Sequence, residues 1–320
     1  MFHLTEELAM QNRRDFVRWL ISGVAFAGLS TLPIELLANH GMVKLTILHT
    51  NDMHSRIDPF PANDPKYPGM GGMARRAALI HKIRSEEKNV LLLDAGDIFQ
   101  GTPYFNLYGG KPELQLMSKM GYDAATIGNH DFDNGIEGLA ERLPDMNFPF
   151  LNVNYNFTDT PLEKKVLPYR IFKKGGLKIG VFGIGIKLQG LVDQKLYGNT
   201  RYEDPIPFAE NISEILKRDH NCDLIICLSH LGYKYEEKKI SDVILAQESS
   251  YIDLIIGGHT HTFLDNPVMY INKKEKKVLV AQVGWAGIKL GRIDYFFDAQ
   301  RRKKDSVSAT VKISENTIAS

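Results

Sequence analysis

Apolar and polar positions follow two periods along this chain. Val43–His49 (VKLTILH), Val90–Leu93, Ala124–Ile127, Phe148–Val153, Leu224–Leu228 and Leu254–Ile256 are short and almost wholly apolar. Such runs predict strands buried on both faces. Stretches of helical spacing lie between them. In Gly72–Lys88, Ala74, Ala77, Ala78, Ile80 and Ile83 recur on one side with charges between. Pro112–Met120 is ended by Gly121, Gly135–Leu143 stops before Pro144, Pro205–Arg218 opens on a proline suited to a first turn, and Glu236–Gln247 completes the helices. Tyr169–Lys173 and Lys178–Ile184 straddle Gly175–Gly176, which predicts a hairpin. Val268–Ile271, Val278–Val283 and Ile288–Phe297 are expected to close the domain as antiparallel strands, with Lys273–Lys277 as a solvated turn. From Arg301 the chain is polar and basic and is expected to be a solvated, partly disordered tail. Strands alternating with helices predict an α/β domain, with no internal repeat and no second-domain boundary.

Composition narrows the class. With 43% hydrophobic and 24% charged residues, disorder, collagen and coiled coil are excluded. Thirty-nine Lys+Arg against 38 Asp+Glu give a net charge of +1, which offers nothing to a nucleic-acid duplex. Cys222 and Cys227 flank DLII. In a strand they would stand roughly 16 Å apart, too far for a disulfide, so two buried thiols are expected.

The first forty residues read as an address. Arg13–Arg14 and Arg18 precede a stretch, Trp19–Ile34, that carries no charge. That stretch is shorter than the roughly 20 residues that cross a bilayer, and a basic segment before a short apolar one is a signal-peptide pattern. Arg13-Arg14-Asp15-Phe16 resembles the twin-arginine export signal. Cleavage after Ala38, elsewhere, or not at all stays open. The expected organisation is therefore an export signal over 1–40, a catalytic domain over 41–300 and a polar tail over 301–320, with a periplasmic or cell-surface location and no transmembrane span.

Candidate chemistry sits at the strand ends. Asn51-Asp52-Met53-His54 follows the first strand, and Gly96-Asp97 the second. Gly128-Asn129-His130-Asp131-Phe132-Asp133 follows the third. His230 ends LIICLS, and Gly257-Gly258-His259-Thr260-His261 ends DLII. Ligands of α/β domains bind beyond the carboxyl ends of strands. Five ends that each deliver Asp, Asn or His predict one site. Imidazole with carboxylate suits zinc, manganese or iron, and Asp97 is placed to bridge two ions about 3.5–4 Å apart. The glycines before Asp97, Asn129 and His259 are expected to allow sharp turns and close approach. Taken singly, each residue also has a structural reading. His49 and Asp94 are expected to pack or turn at strand ends, Asp131 to support the ligands, and Trp285 with Tyr295-Phe296-Phe297 to lie in the core. His3, His40, His81 and His220 belong to no motif.

Together D-x-H, G-D, G-N-H-D, a lone His and G-G-H-x-H resemble the calcineurin-like metallophosphoesterases. The longer strings LHTNDMHS, GGMARR, DAGDIFQGTP, GNHDFD and GGHTH resemble the catalytic domain of bacterial 5'-nucleotidases and UDP-sugar hydrolases, from about Leu45 to about Leu290. The resemblance implies a four-layer α/β/β/α sandwich of two packed mixed sheets flanked by helices. It implies two divalent metal ions, one held by Asp52, His54, Asp97 and His261 and the other by Asp97, Asn129, His230 and His259. The family often has Gln where this chain has His261. His130 and Asp133 correspond to a catalytic dyad that stabilises the phosphoryl group or protonates the leaving oxygen. The implied activity is hydrolysis of phosphate monoesters, 5'-nucleotides or related esters, by in-line attack of a metal-bound water. Full-length relatives carry a further substrate-binding domain, so a separate polypeptide resembling it is an expected partner. Alternatives are a 2',3'-cyclic nucleotide phosphodiesterase, a thiosulfohydrolase-like enzyme and a catalytically silent metal-binding module.

Overall fold

A computed structural model describes residues 42–317. The expected export signal, including Arg13, Arg14 and Ala38, lies outside the described residues, as do His3 and His40. The strands are β1 (Val43–Thr50), β2 (Val90–Asp94), β3 (Ala124–Ala125), β4 (Tyr155–Asn156), β5 (Tyr169–Lys174), β6 (Leu177–Ile184), β7 (Arg201–Tyr202), β8 (Leu224–Ser229), β9 (Leu254–Gly257), β10 (Val268–Ile271), β11 (Lys277–Ala281), β12 (Lys289–Phe297) and β13 (Lys303–Lys312). The α-helices are α1 (Met73–Glu86), α2 (Pro103–Tyr108), α3 (Lys111–Met120), α4 (Gly135–Arg142), α5 (Gln194–Tyr197), α6 (Pro205–Arg218) and α7 (Asp242–Glu248).

Two mixed sheets result. One has the order β13-β12-β1-β2-β3, the other β10-β11-β9-β8-β6-β5, and β4 pairs with β7 apart from both. Side-chain alternation decides how they stack. In β1 and β2, Leu45, Ile47, Leu91 and Leu93 point into a cluster shared with Ile179, Val181, Ile226, Leu228, Leu254 and Ile256 of the second sheet. That cluster is the middle of the sandwich. The opposite faces of the same strands present Leu48 and Leu92 to α1 and α3, through Leu79, Ile83, Leu114 and Met117. On the far side, Phe182, Ile225, Cys227 and Ile255 meet α6 and α7 through Ile212, Leu216, Leu245 and Ala246. The layers are therefore helix, sheet, sheet, helix. Central strands buried on both faces explain why the sequence shows apolar runs rather than alternation. Cys222 and Cys227 are buried free thiols.

Several elements depart from the sequence expectation. The tail after Arg301 is mostly β13, which pairs antiparallel with β12 from Lys289↔Lys312 to Phe297↔Lys303. Lys303, Lys304, Asp305 and Lys312 are exposed and give it a polar composition, while Ile313, just beyond the strand, is fully buried. The last three expected strands do not form one antiparallel set: β11 is antiparallel to β10 but parallel to β9, and β12 joins the other sheet beside β1. Helix α7 begins at Asp242 rather than Glu236, because Ser241 caps it through Ile244 N–H while Glu236–Lys239 are exposed. Phe148–Val153 makes only the bridges Ala125↔Phe150 and Leu151↔Leu167. Among the described residues no helix is long and apolar enough to cross a membrane.

Because Ile313 is fully buried, Ile313→Ala is expected to cost about 2–5 kcal/mol. Denaturant unfolding checks this; a solvated tail residue would cost under about 0.5 kcal/mol.

Candidate active site

The carboxyl ends of β1, β2, β8 and β9, with the loop after β3, meet at one edge of the sandwich. The first two loops are zipped together: Asp52 N donates to Gly96 O (2.9 Å), His54 N to Asp97 O (3.0 Å) and Ser55 N to Ile98 O (2.9 Å). Asn51 ties them to the end of β11. Its Nδ2 donates to Gly284 O (2.6 Å) and its Oδ1 accepts from Val283 N (2.9 Å). The Asp52 carboxylate accepts from His259 N (2.9 and 3.1 Å), joining the β1 and β9 loops.

Ligand atoms converge in two groups, Asp52 with His54 and His261, and Asp97 with His230 and His259; within each, the atoms lie within 4.8 Å of one another. Asp97 Oδ2 faces both groups, 3.1 Å from His230 Nε2 and 3.9 Å from His54 Nε2. Asn129 Oδ1 is 2.8 Å from His259 Nδ1, beside the second group. His54 Nε2 and His261 Nε2 are 2.9 Å apart, and His261 Nε2 is 3.4 Å from Asp52 Oδ1. All seven residues singled out as ligands from the sequence are thus gathered in one place. The imidazoles are oriented from behind. His230 Nδ1 donates to Ala95 O (2.7 Å) and His54 Nδ1 faces Phe99 O (3.3 Å). Each Nε2 is left to ligate.

His130 and Asp133 stand beside this array. His130 Nδ1 is 2.7 Å from Asp133 Oδ2, its backbone N–H donates to Asp97 Oδ1 (2.8 Å), and its ring meets that of His54 edge-on at 5.3 Å. The bond to Asp133 raises the His130 pKa against the opposing effect of burial.

Backbone strain accompanies the ligands. Asp52, His54, Asp97, His259 and His261 all have left-handed φ, between 47° and 70°. Such conformations are uncommon for residues other than glycine and gather at functional sites. The glycines serve the turns and close approaches expected of them, each in its own way. Gly96 has positive φ, but Gly128 serves close approach: a Cβ there would stand 2.1 Å from Asp97 Oδ1 and 2.5 Å from Asp97 N.

Charge shows what the site lacks. Asp52, Asp94, Asp97, Asp131 and Asp242 are all buried to 1% exposure or less. Among the described residues no Lys or Arg forms an ion pair with any of them. Asp94 is driven up to about 7 by burial, against hydrogen bonds from Thr50 and Gly96. Asp131 is also raised by burial and by Asp97, while it accepts from the N–H groups of Asp97, Ile98, Phe99 and Gly128. Burial would raise Asp97 too, but His230, His54 and His130 hold it well below the usual carboxylate range. His230 answers it: burial opposes its charge, yet Asp97 and Asp52 lift it to about 10. Burial lowers His259 to about 4, which leaves a neutral imidazole. The His230 Nε2 atom is fully buried and has no aligned hydrogen-bond partner. A divalent cation supplies what such an atom and such carboxylates need, and oxygen with imidazole is a fitting donor set for zinc, manganese or iron. The residues present fit two metal ions.

Two side chains around the site were not read from the sequence, or were read differently. Trp285, expected in the core, lies at the site with its ring stacked on His261. Asp242, which no motif marks, accepts from Ser229 Oγ (2.5 Å) beneath His230. His49 does pack at the end of its strand, against Gly291 of β12.

Fold and site together define a dinuclear-metal phosphoesterase architecture. Residues 45–263 match the calcineurin-like phosphoesterase family, and the chain belongs to it. Within that family it is homologous to the N-terminal domains of 5'-nucleotidases. It is 34% identical to the snake venom 5'-nucleotidase of Naja atra over 287 residues, which is 81% of this chain and 51% of the relative. The 5'-nucleotidase precursor of Thermus thermophilus superposes with a TM-score of 0.78 at 30% identity, over 86% of this chain and 55% of that one. The NAD nucleotidase of Haemophilus influenzae superposes with a TM-score of 0.74 at 28% identity, over 86% of this chain and 51% of that one. The chain spans about half the length of these proteins.

Asp242 gives the site a pH signature. Burial raises its carboxyl to about 8, against about 3.9 in an unfolded chain. The folded state therefore binds the extra proton between those values. Stability from this group is complete below about pH 4 and is lost as pH rises through about 8. Chelator-treated Asp242→Asn is expected to melt above the parent at pH 8 and level with it at pH 4, as thermal unfolding at the two pH values will show.

Proposed function

We propose that this protein hydrolyses phosphate monoesters, with 5'-nucleotides as the substrate class, at a dinuclear metal centre. The observation that carries the reading is the placement of the hydrogen-bonded His130–Asp133 pair against the bridging carboxylate of Asp97. Asp52, His54 and His261 would hold one ion, and Asn129, His230 and His259 the other, with Asp97 shared. Two ions bound there supply charge neutralisation for the phosphoryl group and lower the pKa of water. Everything else falls to the protein. The buried imidazoles and carboxylates exclude bulk water from one side of the reacting phosphate. His130 is the accessible member, with 36% of its side chain exposed, so an ester can reach it. Asp133 fixes the ring through Nδ1 and leaves Nε2 to face the substrate. The bond to Asp133 raises the His130 pKa, which favours the protonated imidazole. That proton can pass to the leaving oxygen as the ester bond breaks. The neutral alternative, a silent metal-binding module, has no use for such a pair.

Residues 1–40 are read as an export signal on the strength of Arg13–Arg14 and the uncharged run that follows. This places the activity outside the cytoplasm.

The test separates holding from reacting. His130→Ala should keep its metal content and lose turnover of AMP by about 10²–10⁴. Asp97→Ala should lose the metal itself, as elemental analysis of both variants will show. Equal metal loss in the two would refute the assignment. Parallel assays with p-nitrophenyl phosphate, its bis-ester and a 2',3'-cyclic nucleotide distinguish the monoesterase from a diesterase.

A further inference from the structure

Four of the five imidazoles at the site are fixed through Nδ1: His54 by Phe99 O, His130 by Asp133, His230 by Ala95 O and His259 by Asn129. His261 is the exception. Among the described residues its Nδ1 makes no hydrogen bond, and its side chain is 39% exposed, against 7% for His54 and none for His230. A solvent-facing ring without an anchor would be free to rotate about χ2. Its Nε2 is nevertheless aimed into the cluster, toward Asp52 and His54.

Besides the His54 ring, edge-on at 4.9 Å, its aromatic neighbour is Trp285. The two rings are parallel to within 6°, with centroids 5.6 Å apart. The indole is itself held edge-on by Phe60 (5.8 Å) and Tyr67 (6.2 Å). Its backbone is tied to the same loops it serves. Gly284 N donates to Thr262 O (3.0 Å), Ala286 N donates to Asp52 O (2.7 Å), and Ala286 takes a left-handed φ of 55° to do so. Thus the loop that carries the indole is strapped to Asp52 on one side and to the residue after His261 on the other.

We infer that Trp285 is the positioning residue for one of the two metal groups, its indole face holding the His261 imidazole in the ligating plane in place of the Nδ1 hydrogen bond that orients the other four. This rests on the proposed metal centre. It assigns the tryptophan no contact with the substrate. Removing a group that orients a ligand weakens metal binding by about 10–100-fold, and the stack touches one metal group only. A flat aromatic side chain should therefore substitute and a methyl group should not. The chain has two tryptophans, Trp19 and Trp285. In a Trp19→Phe background the emission of Trp285 would report filling of that group directly.

Metal-stripped full-length protein titrated with Zn²⁺ alone, followed by calorimetry and by tryptophan emission, tests this. Trp285→Ala is expected to keep one ion at parental affinity and to bind the other about 10–100-fold more weakly. Trp285→Phe should stay within about threefold of the parent at both. His261→Ala should reproduce the Trp285→Ala defect, and the double variant should be no weaker than His261→Ala alone. In the Trp19→Phe background, emission should change with the filling of one ion and not the other. The inference is overturned if Trp285→Ala binds both ions as the parent does, if it weakens both equally, or if Trp285→Phe is as impaired as Trp285→Ala. A parent that binds two ions while Trp285→Ala is unaffected refutes this inference alone. A parent that binds none refutes the metal-centre reading with it.

Discussion

Five carboxylates are buried in and around one edge of this sandwich with no lysine or arginine paired to them among the described residues, and the local architecture is a response to that fact. An ionised carboxylate removed from water costs several kcal/mol unless something compensates it. The protein uses three compensations. Burial raises Asp94 and Asp131 to about 7 and Asp242 to about 8, so a proton offsets much of their charge near neutral pH. Asp131 also accepts from four backbone N–H groups and so welds the β2 and β3 loops together. Asp52 and Asp97 face the imidazoles of His54, His230 and His261. Protons, amides and imidazoles together account for why acids can be concentrated here without unfolding the domain.

The same crowding of polar side chains shapes the backbone. Side chains that leave parallel strands at their carboxyl ends would normally diverge along the sheet edge. Five ligands converge because the chain reverses at the ligands themselves, in left-handed conformations that glycine would adopt at less cost. Glycine cannot do so here, since each position must also present an oxygen or a nitrogen. The strain is sustained by the inter-loop ladder from Asp52, His54 and Ser55 to Gly96, Asp97 and Ile98, which fixes both loops at once. Gly128 shows the complementary requirement: it has no side chain because the Asp97 carboxylate occupies that space.

These constraints decide what could be read beforehand. The residues gathered at the site were legible because they follow apolar runs, and a run of that kind is visible in one dimension. The layer order was implied by the family resemblance, and strands buried on both faces agree with it. Conformation at the ligands was not legible: nothing in Asp52 or His261 as residue types announces a positive φ. Nor was Trp285, whose apolar neighbours are consistent with the core and whose partner His261 lies in a different loop. The segment after Arg301 misled through composition. An edge strand carries charge on its exposed face, so β13 looks like a solvated tail until its buried end at Ile313 is placed.

Exposure finally divides the site by role. Residues that hold need burial, because a ligand shared with solvent is a ligand that moves; Asp52, Asp97 and His230 are almost wholly enclosed. A residue that reacts needs the opposite, and the proposed proton donor, His130, is more open. By that division His261 is misplaced, a candidate ligand with the exposure of a reactive group. Its Nε2 lies 3.4 Å from Asp52 Oδ1, and its ring lies parallel to the flat aromatic face of Trp285. The exposed His261 imidazole thus has an aromatic neighbour, whereas the exposed His130 imidazole faces the Asp133 carboxylate across 2.7 Å.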